Sequence, residues 1–508
     1  MADTGDATSW YGKRAFMVGI KGTGMTALTE LFLSRGMSVS GSDSEEIFYT
    51  DRILTELGVP IITSFDAAHL PDDTDLLVYS AAYDPEHNPQ IREAHSRGLP
   101  VYSYPEALGS FSADVFAVAV AGVHGKTTTT AMLGAVVQES GLEGSVLVGS
   151  AVPSFGGRST YVGGSRFFIA ETCEYRRHFL SFHPDILLVT SIEADHLDYY
   201  RDYEDVFDAF LSYGRQLPDG GVLVYCEDDP GAASLAARLG SERPDLVLRP
   251  YGEHAGGAYA VREARTERGR IRFLLGEEES EYAVPVPGVH NALNAAAAAA
   301  TLDALRERLG DGPDALNPGD EPDSAGTARG STRAARIPRE LLHRAFAGFR
   351  GTKRRSEVVG EASGVLFLDD YGHHPTAIAK TLEALRAFYP GRRFIVDFMS
   401  HTYSRTAALL DEFAGAFGEA DIVITHKIYA SARESYAGSV TGERLAEAIA
   451  RKHPRVYHFP EVMDAWQFCL DIFRPGDVFL TLGAGNNWTL GKALFESLSA
   501  ATQGSGTA

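Results

Sequence analysis

The sequence has few of the residues that mark small disulfide-stabilised, membrane-embedded or polyanion-binding proteins. Three cysteines occur in 508 residues, at positions 173, 226 and 469. They are too few and too widely spaced in the sequence to build a disulfide framework. No apolar run reaches the roughly 20 residues that a membrane-spanning helix needs. Lys and Arg together number 46 against 68 Asp and Glu, a net charge of −22, which argues against a general nucleic-acid binder.

The overall composition is that of a globular protein, with 44% apolar and 22% charged residues. At roughly 100–200 residues per domain, this length predicts about three domains. The first ten residues are acidic and lack the apolar core of a signal peptide. We therefore expect a soluble, cytoplasmic protein, a monomer or a homodimer, that binds neither nucleic acid nor membrane.

Strand-like apolar runs alternate with helical patterns along the chain, which predicts an α/β fold with parallel sheets. We divide the chain into domains 1–112, 113–345 and 346–508. The segment 310–336 is rich in Gly, Pro, Asp, Ser and Ala, with one Leu and no aromatic residue. It cannot bury enough apolar surface to offset the entropy of ordering, so we expect a flexible surface insertion there.

A turn rich in Gly and Thr joins a predicted strand, Val115–Ala121, to a predicted helix, Lys126–Glu139. Such a turn suits phosphate, because glycines let backbone N–H groups approach the oxygens and the helix N-terminus adds positive potential. The candidate phosphate-binding residues are Gly122, His124, Gly125, Lys126, Thr127 and Thr128. Lys126 can reach the terminal phosphates and the Thr127 hydroxyl can ligate Mg²⁺. The alternative is a helix cap with a solvated lysine.

Candidate metal ligands follow the next predicted strands. Glu171 ends one strand, Phe167–Glu171, and Asp195 and His196 follow another, Ile186–Ser191. Ligands bind at the carboxyl ends of parallel strands, so these side chains are expected to converge on the phosphate loop. Taken singly, an acid at a strand end is as often a helix cap or half of an ion pair.

A second glycine turn follows the first predicted strand, Ala15–Ile20. Gly19, Gly22 and Gly24 depart from the dinucleotide-binding pattern G-x-G-x-x-G because Lys21 takes the place of the middle glycine. Asp43 lies near where an acidic residue would meet a ribose. This segment alone would suit an NAD dehydrogenase, but two separate phosphate-binding turns suit two nucleotides better.

Nine segments, in order, resemble the Mur ligase family. They are residues 19–25, 40–43, 122–130, 171–174, 193–198, 288–295, 351–357, 369–376 and 483–485. The resemblance implies an N-terminal Rossmann-like domain for a UDP-sugar, a central P-loop ATPase-like α/β domain for ATP, and a C-terminal Rossmann-like domain that brings an amino acid. It implies an ATP- and Mg²⁺-dependent ligase that joins an amino acid, L-alanine in the branch it resembles most, to the carboxylate of UDP-N-acetylmuramate in peptidoglycan precursor synthesis.

The resemblance also assigns roles to residues. The residues implied in catalysis are Lys126, Glu171, His196 and His373, and those implied to hold Mg²⁺ are Thr127, Glu171 and His196. Besides the phosphate loop, the implied nucleotide contacts are Asn291, Asn294, Arg354 and Asp370. The implied substrate contacts are Gly19, Gly22, Gly24, Asp43, Tyr371, His373 and Arg405. His374 is expected to cap a helix that Pro375 opens.

Two departures from the family pattern bear on the acceptor. Thr402 stands where an arginine would pair with the carboxylate of the amino acid, and Arg405 is the candidate substitute. No lysine occurs between Lys126 and Lys353, so the carbamylated lysine of some relatives is absent from its usual place, which fits the alanine-adding branch. A recycling ligase for a preformed tripeptide, a non-catalytic nucleotide-sugar sensor and an NAD dehydrogenase remain as alternatives.

Overall fold

A computed structural model describes residues 10–196, 199–310, 336–430, 438 and 440–504. The chain forms two compact units, one of residues 1–264, 273–284 and 292–349, the other of residues 265–272, 285–291 and 350–508. The segment 310–336, which we expect to be a flexible insertion, lies almost wholly outside the described residues. Within the described part of the chain, no helix has the length and apolar character needed to cross a membrane.

The first sheet has five parallel strands in the order β3-β2-β1-β4-β5. Its strands are β1 (Arg14–Val18), β2 (Ser38–Ser42), β3 (Ile61–Ile62), β4 (Leu76–Tyr79) and β5 (Val101–Ser103), and its helices are α1 (Thr23–Ser34), α2 (Thr50–Glu56), α3 (Pro89–Ser96) and α4 (Tyr104–Ala113). The strand order reverses direction at β1, and the crevice at such a switch point is where α/β sheets bind ligands. The glycine turn after β1 lies there.

The second sheet has seven strands in the order β12-β11-β10-β6-β9-β7-β8. Its strands are β6 (Phe116–Ala121), β7 (Gly144–Val152), β8 (Arg158–Val162), β9 (Phe167–Glu171), β10 (Ile186–Val189), β11 (Val222–Cys226) and β12 (Val247–Tyr251). A separate small sheet has the order β13-β14-β15, from β13 (Val261–Glu267), β14 (Arg270–Leu275) and β15 (Tyr282–Val284). The helices are α5 (Lys126–Ser140), α6 (Tyr203–Gly214), α7 (Pro230–Glu242), α8 (Asn291–Leu309) and α9 (Arg339–Gly348).

These first two sheets lie in the same compact unit and contact each other through polar and aromatic side chains. Arg158, at the start of β8, donates to Glu30 of α1 at 2.6 Å and to Glu56 of α2 at 3.1 Å. The Glu30 side chain is only 6% exposed, so its carboxylate is largely desolvated in this pair. It fixes α1, which begins at the first glycine turn, against the sheet that carries the second.

The third sheet, in the other unit, has the order β16-β17-β21-β18-β19-β20. Its strands are β16 (Glu357–Ala362), β17 (Val365–Asp370), β18 (Arg393–Phe398), β19 (Ile422–Thr425), β20 (Val456–His458) and β21 (Asp477–Leu482). Its helices are α10 (Pro375–Phe388), α11 (Tyr403–Ala408), α12 (Leu410–Gly415), α13 (Gly442–Ala450), α14 (Trp466–Ile472) and α15 (Trp488–Gly504). Alternate residues of β17 belong to two different apolar clusters. Leu366 and Leu368 lie in one cluster, and Val365 and Phe367 lie in the other. The sheet therefore buries both faces, as parallel sheets do.

The predicted α/β class is confirmed, with additions that the sequence pattern did not indicate. β8 pairs with β7, and β16 with β17, in the antiparallel sense. Both are edge strands joined to their partners by short turns. A short antiparallel hairpin leaves little periodicity in the sequence, and this is why neither strand was predicted.

Candidate functional site

The phosphate-type loop runs from the end of β6 to the start of α5. Gly122 and Gly125 both have positive φ, +134° and +80°. A Cβ on Gly122 would lie 2.1 Å from the Thr190 hydroxyl oxygen, and one on Gly125 would lie 2.9 Å from the side-chain oxygen of Asn294. Glycine is thus required by conformation and by space. Thr190 follows β10, so the sheet itself fixes the shape of this loop.

Lys126, the first residue of α5, points back across the loop. Its ammonium group lies 3.0 Å from Oε1 and 2.9 Å from Oε2 of Glu174, and it also donates to the Gly122 carbonyl. Burial acts to lower the pKa of Lys126, but the carboxylates of Glu174 and Glu171 outweigh it and raise that pKa. Lys126 is therefore a fixed cation at the mouth of the loop.

Glu171 closes the next strand, β9, and its carboxylate is held from two sides. Oε1 accepts a hydrogen bond from the Thr127 hydroxyl at 2.9 Å, and Oε2 accepts one from the Gly149 amide of β7 at 2.6 Å. A Cβ on Gly149 would lie 2.6 Å from Oε2, so only glycine lets the carboxylate approach. The structure thus brings together Thr127 and Glu171, the two residues that the resemblance implies as ligands of one Mg²⁺.

His196, which has φ +52°, meets two other carboxylates. Its Nε2 lies 3.6 Å from Glu174 and 3.8 Å from Asp195, and the three side chains offer ligand atoms within 4.8 Å of one another. Burial acts to lower the pKa of His196, but Glu174 and Asp195 raise it. Glu174 thus contacts both Lys126 and His196, and burial, which would raise its pKa, is outweighed by those two partners.

Other predicted nucleotide contacts lie around the same loop or near the start of α8. The side-chain oxygen of Asn294, which is buried, accepts from Thr129 at 3.1 Å. Thr128 is half-buried in the first turn of α5. His124 is exposed, with Nε2 3.5 Å from the Glu193 carboxylate. Asn291, the first residue of α8, donates to the Pro287 carbonyl at 2.6 Å.

The first glycine turn is packed against aromatic rings. A Cβ on Gly19, whose φ is +82°, would lie 2.6 Å from the Tyr83 ring, and one on Gly24 would lie 2.8 Å from Tyr104. Asp43 accepts from the Lys21 amide at 2.7 Å and from the Tyr83 hydroxyl at 3.2 Å. The predicted ribose contact, Asp43, therefore also holds the turn itself together.

Lys21 explains the departure from the dinucleotide-binding pattern. Its side chain is only 5% exposed, and its ammonium group lies 3.0 Å from Asp51. It also donates to the carbonyls of Ser44 and Glu46, at 3.0 and 2.9 Å. The lysine in place of the middle glycine thus binds the segment after β2 to the turn.

In the second unit, predicted residues gather where β17 ends. Arg354 pairs with Asp369 at 3.1 Å and donates to the Gly483 carbonyl at 2.7 Å, and its guanidinium carbon lies 5.0 Å from the centre of the Tyr371 ring. Asp370 accepts from the amides of Ser356 and Gly372, each at 2.7 Å.

The two adjacent histidines after Tyr371 have different environments. The His373 ring lies 5.2 Å from the Tyr371 ring, and burial and then the charge of Arg405 lower the pKa of His373 to about 4. His374 is the N-cap of α10 and accepts from the Thr376 amide at 3.4 Å, as its predicted capping role requires. Tyr371, His373 and Arg405 therefore belong to one neighbourhood.

One residue at the centre of the first unit was missed as a site residue. Glu174 lies three positions after Glu171, in a turn, and nothing in the local pattern separates it from a surface acid. The available signal was its place directly after a buried strand, in the segment 171–174 that resembles the family. Its partners, Lys126 and His196, are distant in sequence.

The fold and the family matches of the chain agree. On its fold the chain is a multidomain α/β protein, with a phosphate-loop sheet preceded and followed along the sequence by Rossmann-like sheets. The Mur ligase family, catalytic domain, matches residues 15–115, the Mur ligase middle domain 120–302, and the Mur ligase, glutamate ligase domain, 354–485. The chain belongs to the Mur ligase family, and the resemblance found in the sequence is confirmed.

Individual relatives and solved structures match this chain along most of its length. The protein named UDP-N-acetylmuramate–L-alanine ligase from Treponema pallidum (strain Nichols) is 50% identical over 485 residues, which cover 95% of this chain and 96% of the relative. The structure of UDP-N-acetylmuramate-alanine ligase MurC from Thermotoga maritima matches with a TM-score of 0.74 at 22% identity, covering 96% of this chain and 99% of that one. MurF ligase from Thermotoga maritima in complex with ADP matches with a TM-score of 0.56 at 16% identity, covering 86% and 98%.

Proposed function

We propose that this protein is an ATP-dependent ligase that joins L-alanine to the carboxylate of UDP-N-acetylmuramate, in cytoplasmic peptidoglycan precursor synthesis. The observation that carries the proposal is the 50% identity, over 95% of the chain, to a relative named for that reaction. The alternative acceptor is a preformed tripeptide, and the alternative of an NAD dehydrogenase has no support from the comparisons.

The phosphate loop supports ATP as the energy source. The first residues of α5 present backbone N–H groups at a helix N-terminus, where phosphate oxygens bind well. The Val123 and His124 amides instead donate to Ser191. Lys126 would neutralise charge on the γ-phosphate, as lysines in such loops do. Asn291, Asn294, Arg354 and Asp370 remain our proposals for further nucleotide contacts.

The acidic side chains around the loop fit Mg²⁺. This ion prefers oxygen ligands and takes one or two carboxylates besides phosphate oxygens. Thr127 and Glu171 offer a hydroxyl and a carboxylate oxygen 2.9 Å apart, which suits one ion. His196 with Glu174 and Asp195 offers a second donor set. A bound divalent cation would neutralise the charge that develops on the transferred phosphoryl group.

The first glycine turn is our candidate for the UDP-sugar, and the neighbourhood of Tyr371, His373 and Arg405 for the acceptor. Arg405 is the cation that would pair with the carboxylate of the amino acid, since Thr402 cannot. The low pKa of His373 keeps its imidazole neutral, so this side chain would not repel the amine of the acceptor.

The reaction has two chemical steps. The lactyl carboxylate attacks the γ-phosphorus of ATP, which forms an acyl phosphate and releases ADP. The neutral amine of the acceptor then attacks the acyl carbon. The tetrahedral intermediate loses a proton to water and expels phosphate to leave the amide. The role of Lys126 is to neutralise and align the phosphoryl group, which is most of what catalysis of phosphoryl transfer requires.

The test is an ADP-release assay with UDP-N-acetylmuramate and a panel of L-alanine, glycine, L-serine and the tripeptide. We expect ADP release that needs both substrates and is fastest with L-alanine. Lys126→Ala should abolish ADP release while leaving UDP-sugar binding largely intact. Release that is fastest with the tripeptide would favour the recycling ligase, and no release with any acceptor would reject the proposal.

A further inference from the structure

A fully buried polar cluster lies inside the third sheet, next to one of its apolar clusters. Asp397 is the fifth residue of β18, and His426 directly follows β19. Their contact, Nε2 of His426 to Oδ1 of Asp397, is 2.6 Å, and both side chains are 0% exposed. Asn487, beyond the end of β21, donates to Oδ2 of Asp397 at 3.1 Å and to its backbone carbonyl at 2.7 Å.

The two oxygen contacts of the His426 ring favour its protonated form. Besides Asp397 at Nε2, its Nδ1 lies 2.8 Å from the Phe459 carbonyl oxygen. Both partners are acceptors, and a neutral imidazole carries one N–H only. An imidazolium ring satisfies both contacts, because it can donate from Nε2 to the Asp397 carboxylate and from Nδ1 to the Phe459 carbonyl. Burial acts to lower the pKa of His426, but Asp397 outweighs it and raises that pKa.

Burying this pair among apolar side chains is unfavourable, which points to a role besides filling the core. The neighbours of Asp397 on the same strand face are Ile395 and Met399, which are fully buried in an apolar cluster that also contains Ile424. Two charges in such surroundings lose their hydration, and apolar residues of similar size are often as stabilising. A buried ion pair in an apolar layer can instead contribute specificity of arrangement.

The arrangement that it controls is the pair of loops at the carboxyl edge of the sheet. The segments that follow Asp397 and His426 run side by side and are joined by two backbone hydrogen bonds. The Tyr429 amide donates to the Ser400 carbonyl at 2.8 Å, and the Thr402 amide donates to the Tyr429 carbonyl at 3.0 Å. His401 and Tyr429 form a parallel bridge there. Their rings stack with centres 6.0 Å apart and planes at 24°.

This bridge borders the proposed acceptor neighbourhood. The His401 ring lies 6.5 Å from the His373 ring, and Arg405 lies in the first turn of α11, which begins at Tyr403. Thr402 has φ +67°, a conformation that threonine avoids unless its surroundings impose it. The hydrogen bond from Thr402 to Tyr429 supplies such a constraint.

We propose that Asp397 and His426 are positioning residues of the acceptor site. Their ion pair holds β18 against β19 and so places the loop that carries His401 and Arg405 against Tyr429. The Tyr429 side chain then lines one side of the acceptor site. This inference rests on the proposed function, because it takes the neighbourhood of His373 and Arg405 as the place where the amino acid binds. It adds Asp397, His426 and Tyr429 to the residues that were predicted from the sequence.

The test compares KM values in the full-length protein. Asp397→Asn removes the charge but keeps the size, and we expect it to raise the KM for L-alanine about tenfold or more. We expect the KM values for ATP and UDP-N-acetylmuramate to stay within about twofold. Ile395→Ala, two residues earlier on the same face, is the matched control and should lower the melting temperature without changing the KM for L-alanine.

Tyr429→Ala covers the case in which Asp397→Asn does not fold. Tyr429 is 41% exposed, so its replacement leaves the core intact, and we expect it to raise the KM for L-alanine in the same direction. An unchanged acceptor KM in both variants, or equal increases for all three substrates, would overturn the inference. Lack of activity in the unaltered protein would instead reject the proposed function, so the two failures are distinguishable.

Discussion

The contact between Lys126 and Glu174 is the most informative one to perturb, because it joins the phosphate loop to the turn after β9. The two charges lie 2.9 Å apart, with side chains 14% and 4% exposed. At an effective dielectric constant of about 20, their attraction is about 6 kcal/mol before desolvation is counted. Loss of one partner of such a buried pair typically costs about 3–5 kcal/mol, since the other charge is left behind.

We expect a smaller cost for Glu174→Gln. The amide oxygen of Gln can still accept a hydrogen bond from Lys126, which restores about 1 kcal/mol. Glu171 also remains close enough to favour the Lys126 cation. The expected loss is therefore about 2–3 kcal/mol in the local stability of the loop and the first turn of α5. This corresponds to a roughly 30- to 150-fold larger equilibrium constant for local opening, at about 1.4 kcal/mol per factor of ten.

Hydrogen–deuterium exchange of the peptide that spans the loop and the start of α5 measures this local stability directly. Glu193→Gln is the matched control: its carboxylate is 54% exposed and lies 3.5 Å from His124, and exposed pairs contribute about 0–1 kcal/mol. In a Lys126→Met background, Glu174→Gln should not destabilise the loop further, because the pair is already broken and the substitution removes the buried charge left on Glu174. Equal exchange in Glu174→Gln and the unaltered protein would refute the reasoning.

Three further predictions concern the same sites. Glu171→Ala should raise the Mg²⁺ concentration for half-maximal ADP release at least tenfold, and an unchanged titration would remove Glu171 from the metal site. Gly149→Ala should act in the same direction, since its Cβ would lie 2.6 Å from the Glu171 carboxylate, whereas Gly256→Ala, with nothing within 4 Å, should not. His373 should titrate near its folded pKa of about 4 by NMR, not near 6.5 as exposed histidines do. Because that pKa is depressed, its contribution to stability is lost as the pH falls from about 6.5 towards 4.

Much of the first unit could be predicted because its signals are local. The strand that ends at Glu171 was predicted as Phe167–Glu171 and is found there, and the helix that begins at Lys126 extends one residue beyond its predicted end. Both elements are marked by consecutive residues, an apolar run in the first case and a glycine turn in the second. The approach of Glu171 to the phosphate loop was predicted because the carboxyl ends of parallel strands lie at the same edge of a sheet.

The identity of the partners of Lys126 and His196 could not be predicted in the same way. The resemblance implied Glu171 as the metal-binding partner of His196 and implied no carboxylate partner for Lys126. In the structure both Lys126 and His196 contact Glu174, which is 48 positions from Lys126. Only the fold of the turn after β9, which includes two arginines with positive φ, Arg176 and Arg177, determines which carboxylate points inward. Two acids three residues apart in an irregular segment cannot be ranked by sequence pattern.

The pair of Asp397 and His426 shows the same limit more sharply. An aspartate near the end of a buried strand is expected to reach an exposed edge, and a histidine after the next strand is expected to face solvent or a ligand. In the structure each charge is buried because the other is present, at a separation of 29 residues. Neither burial is favourable alone, so no argument made on one residue at a time could have reached it. The arrangement follows only from the register in which Asp397 lies opposite Ile424, two residues before His426.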